Sequence, residues 1–271
     1  LASPETGLKQ RATRRGTVNG GVHAWHAAAL AELPAALILP PAWFLEPDRP
    51  RSAMHIETGL IAQPKLILAG ATAAVVLAYY LRHLIRRPQD WPRILLAALF
   101  FSVFMEAIHF HVGPSELHFV GAMAIYFTLG FLPALFGFAL GLLLQALIFE
   151  PADLAHWAVN SLSLILPLLL VHYTIGRRYR EQGETLTWGR ILRLDAMYYS
   201  GVALMVGFWL AGTGTGISAW ALWASSYALI VLIEPLVTYA AVRLLKAHEG
   251  RRLGRLFAVD NLRIASARQS S

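Results

Sequence analysis

Apolar runs, each close to the length that crosses a lipid bilayer, dominate this chain. From Leu66 onward they are Leu66–Leu81, Ile94–Val112, Leu117–Leu132, Ala134–Phe149, Trp157–Ile175, Leu194–Ala211 and Ile217–Leu245. A hydrocarbon core takes about 20 helical residues per crossing. Lipid offers the backbone no hydrogen bonds, so a spanning segment must satisfy its own. The expected fold class is therefore all-α: a polytopic membrane helical bundle with about seven transmembrane spans. The third and fourth runs are short, and Pro133 joins them with almost no loop, so they are expected as a tight hairpin. Composition agrees: 56% of residues are hydrophobic and 14% charged, against about 25% charged in a soluble domain. That excludes a disordered tail, a coiled coil and an ordinary cytosolic enzyme. Cysteine is absent, which excludes disulfides, thiolate metal sites and redox motifs.

A pI of about 10.0 and a net charge of +7 point either to nucleic acid or to membrane topology. Placement decides between them. Of the 16 Lys and Arg after Leu66, four lie at 82–93, five at 177–193, and seven from Arg243 to the end. The alternate loops carry Glu116, Glu150 and Asp153, or only Gly and Thr. All basic loops thus fall on one side, which the positive-inside rule assigns to the cytoplasm. The N-terminus of the bundle is expected outside and the C-terminus in the cytoplasm, in a multi-pass protein of the cell (inner or plasma) membrane. No nucleic-acid partner is expected; the lipid bilayer is the solvent.

Residues 1–53 differ in composition, with four basic residues before a Pro-interrupted apolar stretch, Ala24–Leu45. They are expected to be a misassigned start or a targeting extension, with Met54 as the mature N-terminus. The transmembrane domain is then 54–246 and the basic cytoplasmic tail 247–271.

Four sets of residues bear on chemistry. Met54-His55 offers a terminal amine, an amide nitrogen and an imidazole within one short chelate, a donor set suited to Ni(II) or Cu(II). His109, His111 and His118 surround a Gly-Pro turn with Glu116. His109 and His111 are two apart and cannot share a helix face, but can flank an irregular loop lining a cavity. Glu106, Gln145, Asn160, Asp195 and Glu234 lie within spans, where carboxylates are costly. Asp195 is expected as a cap or an Arg partner, Glu234 as satisfying or neighbouring a carbonyl freed by Pro235 or as a protonated acid, and Gln145 and Asn160 as interhelical bonds. Finally, Gly137-Phe-Ala-Leu-Gly141 and the repeats Ala69/Ala73 and Gly70/Ala74/Ala78 let helices approach closely. Their partner, another subunit or this bundle, stays open. There is no P-loop signature and no H-E-x-x-H, and Gly212-Thr-Gly-Thr-Gly216 is expected as an outer turn.

From Met54 to Leu245 the chain resembles the CbiM/NikM family, the substrate-capturing membrane subunits of energy-coupling factor importers for cobalt and nickel. The resemblance rests on Met54-His55-Ile56 with Gly59, Phe101-Ser102, His118-Phe-Val-Gly121, Gly141-Leu-Leu-Leu-Gln145, Asn160 and Ile233-Glu-Pro235. It implies a non-catalytic permease that carries Co2+ or Ni2+ as substrate and uses no organic cofactor. Cobalt is favoured by the short, His-rich loop. It implies as metal ligands the Met54 amine, the His55 amide and imidazole nitrogens, and His118, with His109 or His111 assisting or replacing one of them. The partners implied are a transmembrane coupling subunit, an ATPase pair and a small accessory membrane subunit. Rivals from other classes are an intramembrane metalloenzyme with Glu116 or Glu57 as base, and a secondary metal/proton transporter using Glu106 and Glu234.

Overall fold

The computed structural model describes residues 61–107, 109–112, 115–149, 151–248 and 256–265. Helix α1 (Gln63–Leu84) carries Pro64 in its first turn, tolerated there because a first-turn N–H has no helical partner. Helix α2 (Asp90–Ala107) is followed by an antiparallel hairpin of β1 (His109–Val112) and β2 (Ser115–His118). Then come α3 (Ala122–Leu129) and α4 (Phe131–Ile148). A 3-10 turn (Pro151–His156) leads into α5 (Trp157–Val171), which continues through a π-helical turn (His172–Gly176) into α6 (Arg177–Arg180). Strand β3 (Thr185–Leu186) precedes α7 (Trp188–Leu210) and α8 (Ile217–Ala247), and β4 (Arg263–Ile264) pairs parallel with β3.

Among the described residues five segments are long and apolar enough to cross a membrane: α1, α4, Pro151–Arg180, α7 and α8. Helix α2 has 18 residues but carries Asp90, Arg93 and Glu106 near its ends. Two expected spans are corrected. The run Ile94–Val112 is helical only to Ala107, and 109–112 is strand. The run Leu117–Leu132 is not one helix: it divides into the end of β2, a link at 119–121, and an α3 of eight residues, about 12 Å long.

Packing explains this break. Gly137 sits against Ala97, and Gly141 against Ala98 and Phe101, so four residues along α4 match about four along α2. The two helices run in the same direction. The chain between Ala107 and Phe131 therefore has to travel back, and it does so as hairpin, link and short helix. Irregular backbone is tolerated there because protein covers it: Leu117, Phe119, Val120 and every residue of α3 are buried. The return closes at Gly130, whose φ of 115° is open to glycine, rather than at Pro133. The glycine pair is spent inside the bundle: Ser102 also donates to the Gly141 carbonyl at 3.3 Å.

The basic segments gather at one end. Arg93 Nε donates to the Leu256 carbonyl at 3.0 Å and Lys246 Nζ to that of Asp260 at 3.2 Å. At the other end, Lys65 donates to the carbonyls of Phe208 (3.1 Å) and Trp209 (2.9 Å), closing the C-terminus of α7. Gly212 and Gly214 take φ of 79° and 85° in the expected turn beyond α7. Around the bundle Leu95, Leu99 and Val103 of α2 and Leu229, Leu232 and Leu236 of α8 are exposed, an apolar girdle of the kind that lipid covers.

Candidate metal centre

His118 ends β2 and is almost fully buried, at 4% exposure. Its Nδ1 lies 3.3 Å from the Met105 carbonyl of α2. The link that follows is wedged into the bundle. Phe119 meets Phe104 edge to face at 5.5 Å. Gly121 has a φ of +65°, and a Cβ there would lie 2.7 Å from the Phe104 ring, so the residue three positions after His118 must be glycine.

Helix α3 begins inside the protein, where its first N–H groups lack both helical partners and water. Gly121 provides no side-chain cap. The cap comes from α8 instead: Glu234 is fully buried, and its Oε1 accepts from the Met123 N–H at 3.0 Å, with Gly121 and Ala122 also directed to it. The Tyr199 hydroxyl of α7 donates to the other carboxyl oxygen. At the far end of α3, Arg180 Nη1 donates to the carbonyls of Tyr126 and Phe127, both at 2.8 Å. An eight-residue helix is marginal alone. This one has an acid at its positive end and a guanidinium at its negative end, both matched to its dipole.

Several expectations need revision. Glu234 accepts from N–H groups of another helix, partners that its place before Pro235 did not suggest. Asp195 is entirely buried and lies against Glu234, so it is neither a helix-end cap nor an Arg partner. A contact between two carboxyls is a hydrogen bond only with a proton on one of them. Glu106 is exposed near the end of α2. The Gln145 amide, expected to bond across helices, finds no partner among the described residues although it is buried.

The ladder register sets His109 opposite His118 and His111 opposite Glu116. Met54 and His55 lie outside the described residues. Among the described residues no three His, Asp or Glu come together as a metal-binding group. Of the three main expected ligands, Met54, His55 and His118, the structure thus describes His118, in a buried frame. Sequence reasoning singled out Glu234 without its part in this frame, and missed Tyr199 and Arg180. A signal existed: an acid deep in an apolar run needs donors, and Gly121 interrupts an apolar run just after a histidine.

Together, the apolar girdle, the long apolar helices and a histidine sunk among them define a multi-pass membrane protein with an interior polar site. The family model for the cobalt uptake substrate-specific transmembrane region, CbiM, matches residues 55–251, and the chain belongs to that family. It is thus a transmembrane, substrate-specific component of cobalt uptake. No curated protein and no solved structure matches it.

Proposed function

We propose that this chain captures a divalent transition-metal ion for an energy-coupling factor importer, with cobalt favoured over nickel. The family match over residues 55–251 is the observation that carries this, and the buried frame around His118 supports it. In this proposal the ion exchanges most of its water for nitrogen donors: the Met54 amine, the His55 amide and imidazole, and His118. His109, paired with His118 across the hairpin, is an assisting ligand, and His111 a weaker one. The amine is free only when residues 1–53 are absent or removed. Three of the donors then belong to a segment that has to reach His118 from the N-terminal side of α1.

The chain itself performs no chemistry on the ion; its residues bind and orient. Met105 fixes one imidazole nitrogen of His118, and Glu234 holds the segment that follows. The N-terminal side faces out, and the basic end faces the cytoplasm. Seven crossings result, the third made of hairpin, link and α3. ATP hydrolysis and coupling belong to a coupling subunit with an ATPase pair, and a small accessory membrane subunit completes the complex. The exposed stripe Gly70/Ala74/Ala78 of α1 is the proposed docking face, since a Cβ at Gly70 would touch nothing in this chain. The other small pair, Ala69/Ala73, is already buried internally.

The test is radiolabelled Co2+ uptake by cells expressing the chain with and without its ATPase and coupling subunits. Uptake that needs the ATPase is expected. Uptake without it that collapses with the proton gradient would favour a secondary transporter instead.

A further inference from the structure

At the basic end of the bundle a cavity of about 490 Å3 opens between α1, α2, the α3–α4 turn and the π-helical segment. Four guanidinium groups line it, Arg87, Arg93, Arg177 and Arg180, against two carboxylates, Asp90 and Glu181. Each carboxylate already has an arginine: Arg93 holds Asp90 at 3.2 Å, and Arg177 holds Glu181 at 2.9 Å. Arg180 is committed to backbone carbonyls. Arg87 is exposed and has no side-chain partner among the described residues, so the cavity carries uncompensated positive charge.

Two further features point the same way. The start of α4 lines the cavity through Gly130, Phe131 and Leu132, and this 18-residue helix has no side-chain cap. The Gly130 N–H is bonded to the Tyr126 carbonyl and Pro133 has none, so the N–H groups of Phe131 and Leu132 and the positive end of the dipole lie at the cavity lining. Tyr79 and Tyr173 line the cavity and are themselves exposed, and exposed Ile85 and Trp91 lie within two residues of its lining residues Arg87 and Asp90 in sequence, the mixture of aromatic and apolar residues that settles at headgroup level.

We infer that this cavity is a binding site for the phosphate of an anionic phospholipid headgroup at the membrane interface. Its cations and first-turn N–H groups are suited to a phosphate oxyanion, its size suits a headgroup, and its apolar flank receives the acyl chains. Basic pockets between transmembrane helices recognise anionic headgroups by the same means. The site is separate from the His118 centre and does not depend on the metal assignment.

The test is native mass spectrometry of the full chain in detergent, with phosphatidylglycerol and phosphatidylcholine of identical acyl chains added in turn. The wild type is expected to retain phosphatidylglycerol in preference to phosphatidylcholine. Arg87→Gln is expected to weaken phosphatidylglycerol retention about fivefold, and Arg178→Gln, an exposed arginine outside the cavity, to leave it unchanged. Equal retention of the two lipids by the wild type would overturn the inference, as would equal losses in the two variants. Displacement of phosphatidylglycerol by millimolar inorganic phosphate would assign the site to soluble phosphate and overturn its lipid identity.

Discussion

Glu234 is joined to the candidate metal centre by hydrogen bonds rather than by sequence. Its donor is the Met123 N–H, 111 residues away, and through α3 it fixes the link that follows His118. Removing the carboxyl leaves first-turn N–H groups buried without acceptors, and the link then loses its anchor. Glu234→Ala is expected to lower Co2+ affinity about 10- to 100-fold, the range for residues that orient a ligand. Glu234→Gln keeps a carbonyl acceptor and should stay closer to wild type; equilibrium dialysis with 57Co measures both. Lys65 bonds the end of α7 in a comparable way. Lys65→Ala should lower stability by about 1 kcal/mol, read as a lower midpoint of thermal unfolding in detergent. None of these partners was legible in the sequence. A buried acid in an apolar run announces that donors exist, but only the fold says that they sit on α3.

At the scale of elements, the pairing of α2 with α4 sets the architecture. Gly137 faces the Ala97 methyl and backbone directly, where neither neighbour can move aside. Gly137→Ala should cost about 1–3 kcal/mol, and Gly137→Leu should abolish folded protein on size-exclusion chromatography. Gly70→Leu on the exposed stripe of α1 should fold normally; under the proposed docking it should fail to co-purify with the coupling subunit. Most long helices were legible because lipid imposes their length and hydropathy. Helix α3 was not. Its run is as apolar as a full span, and hydropathy cannot distinguish a continuous helix from strand, link and short helix when protein covers all three. The signal that survives is conformational: Gly121 and Gly130 bracket α3, each at positive φ.

For the whole molecule, the clustering of basic residues in alternate loops anticipated that they share one end, and the cavity lined by Arg87, Arg93, Arg177 and Arg180 brings two of those loops together. Arg180 and Arg93 do more than mark topology, since both bond backbone carbonyls across the bundle. The absence of cysteine makes orientation directly measurable. With single cysteines at Thr213 and Gln182, a membrane-impermeant maleimide should label Thr213→Cys in intact cells, and Gln182→Cys only after permeabilisation. The reverse pattern would invert the proposed orientation.

The central claim is that His118 and a free Met54 amine hold the transported ion together. Its most direct test is Co2+ binding, by isothermal titration calorimetry, to the purified chain beginning at Met54. The wild type, His118→Ala, and a form with one glycine added before Met54 are compared. One Co2+ per chain is predicted for the wild type, with binding lost in both altered forms. Undiminished binding in His118→Ala, or in the glycine-extended chain, would contradict it.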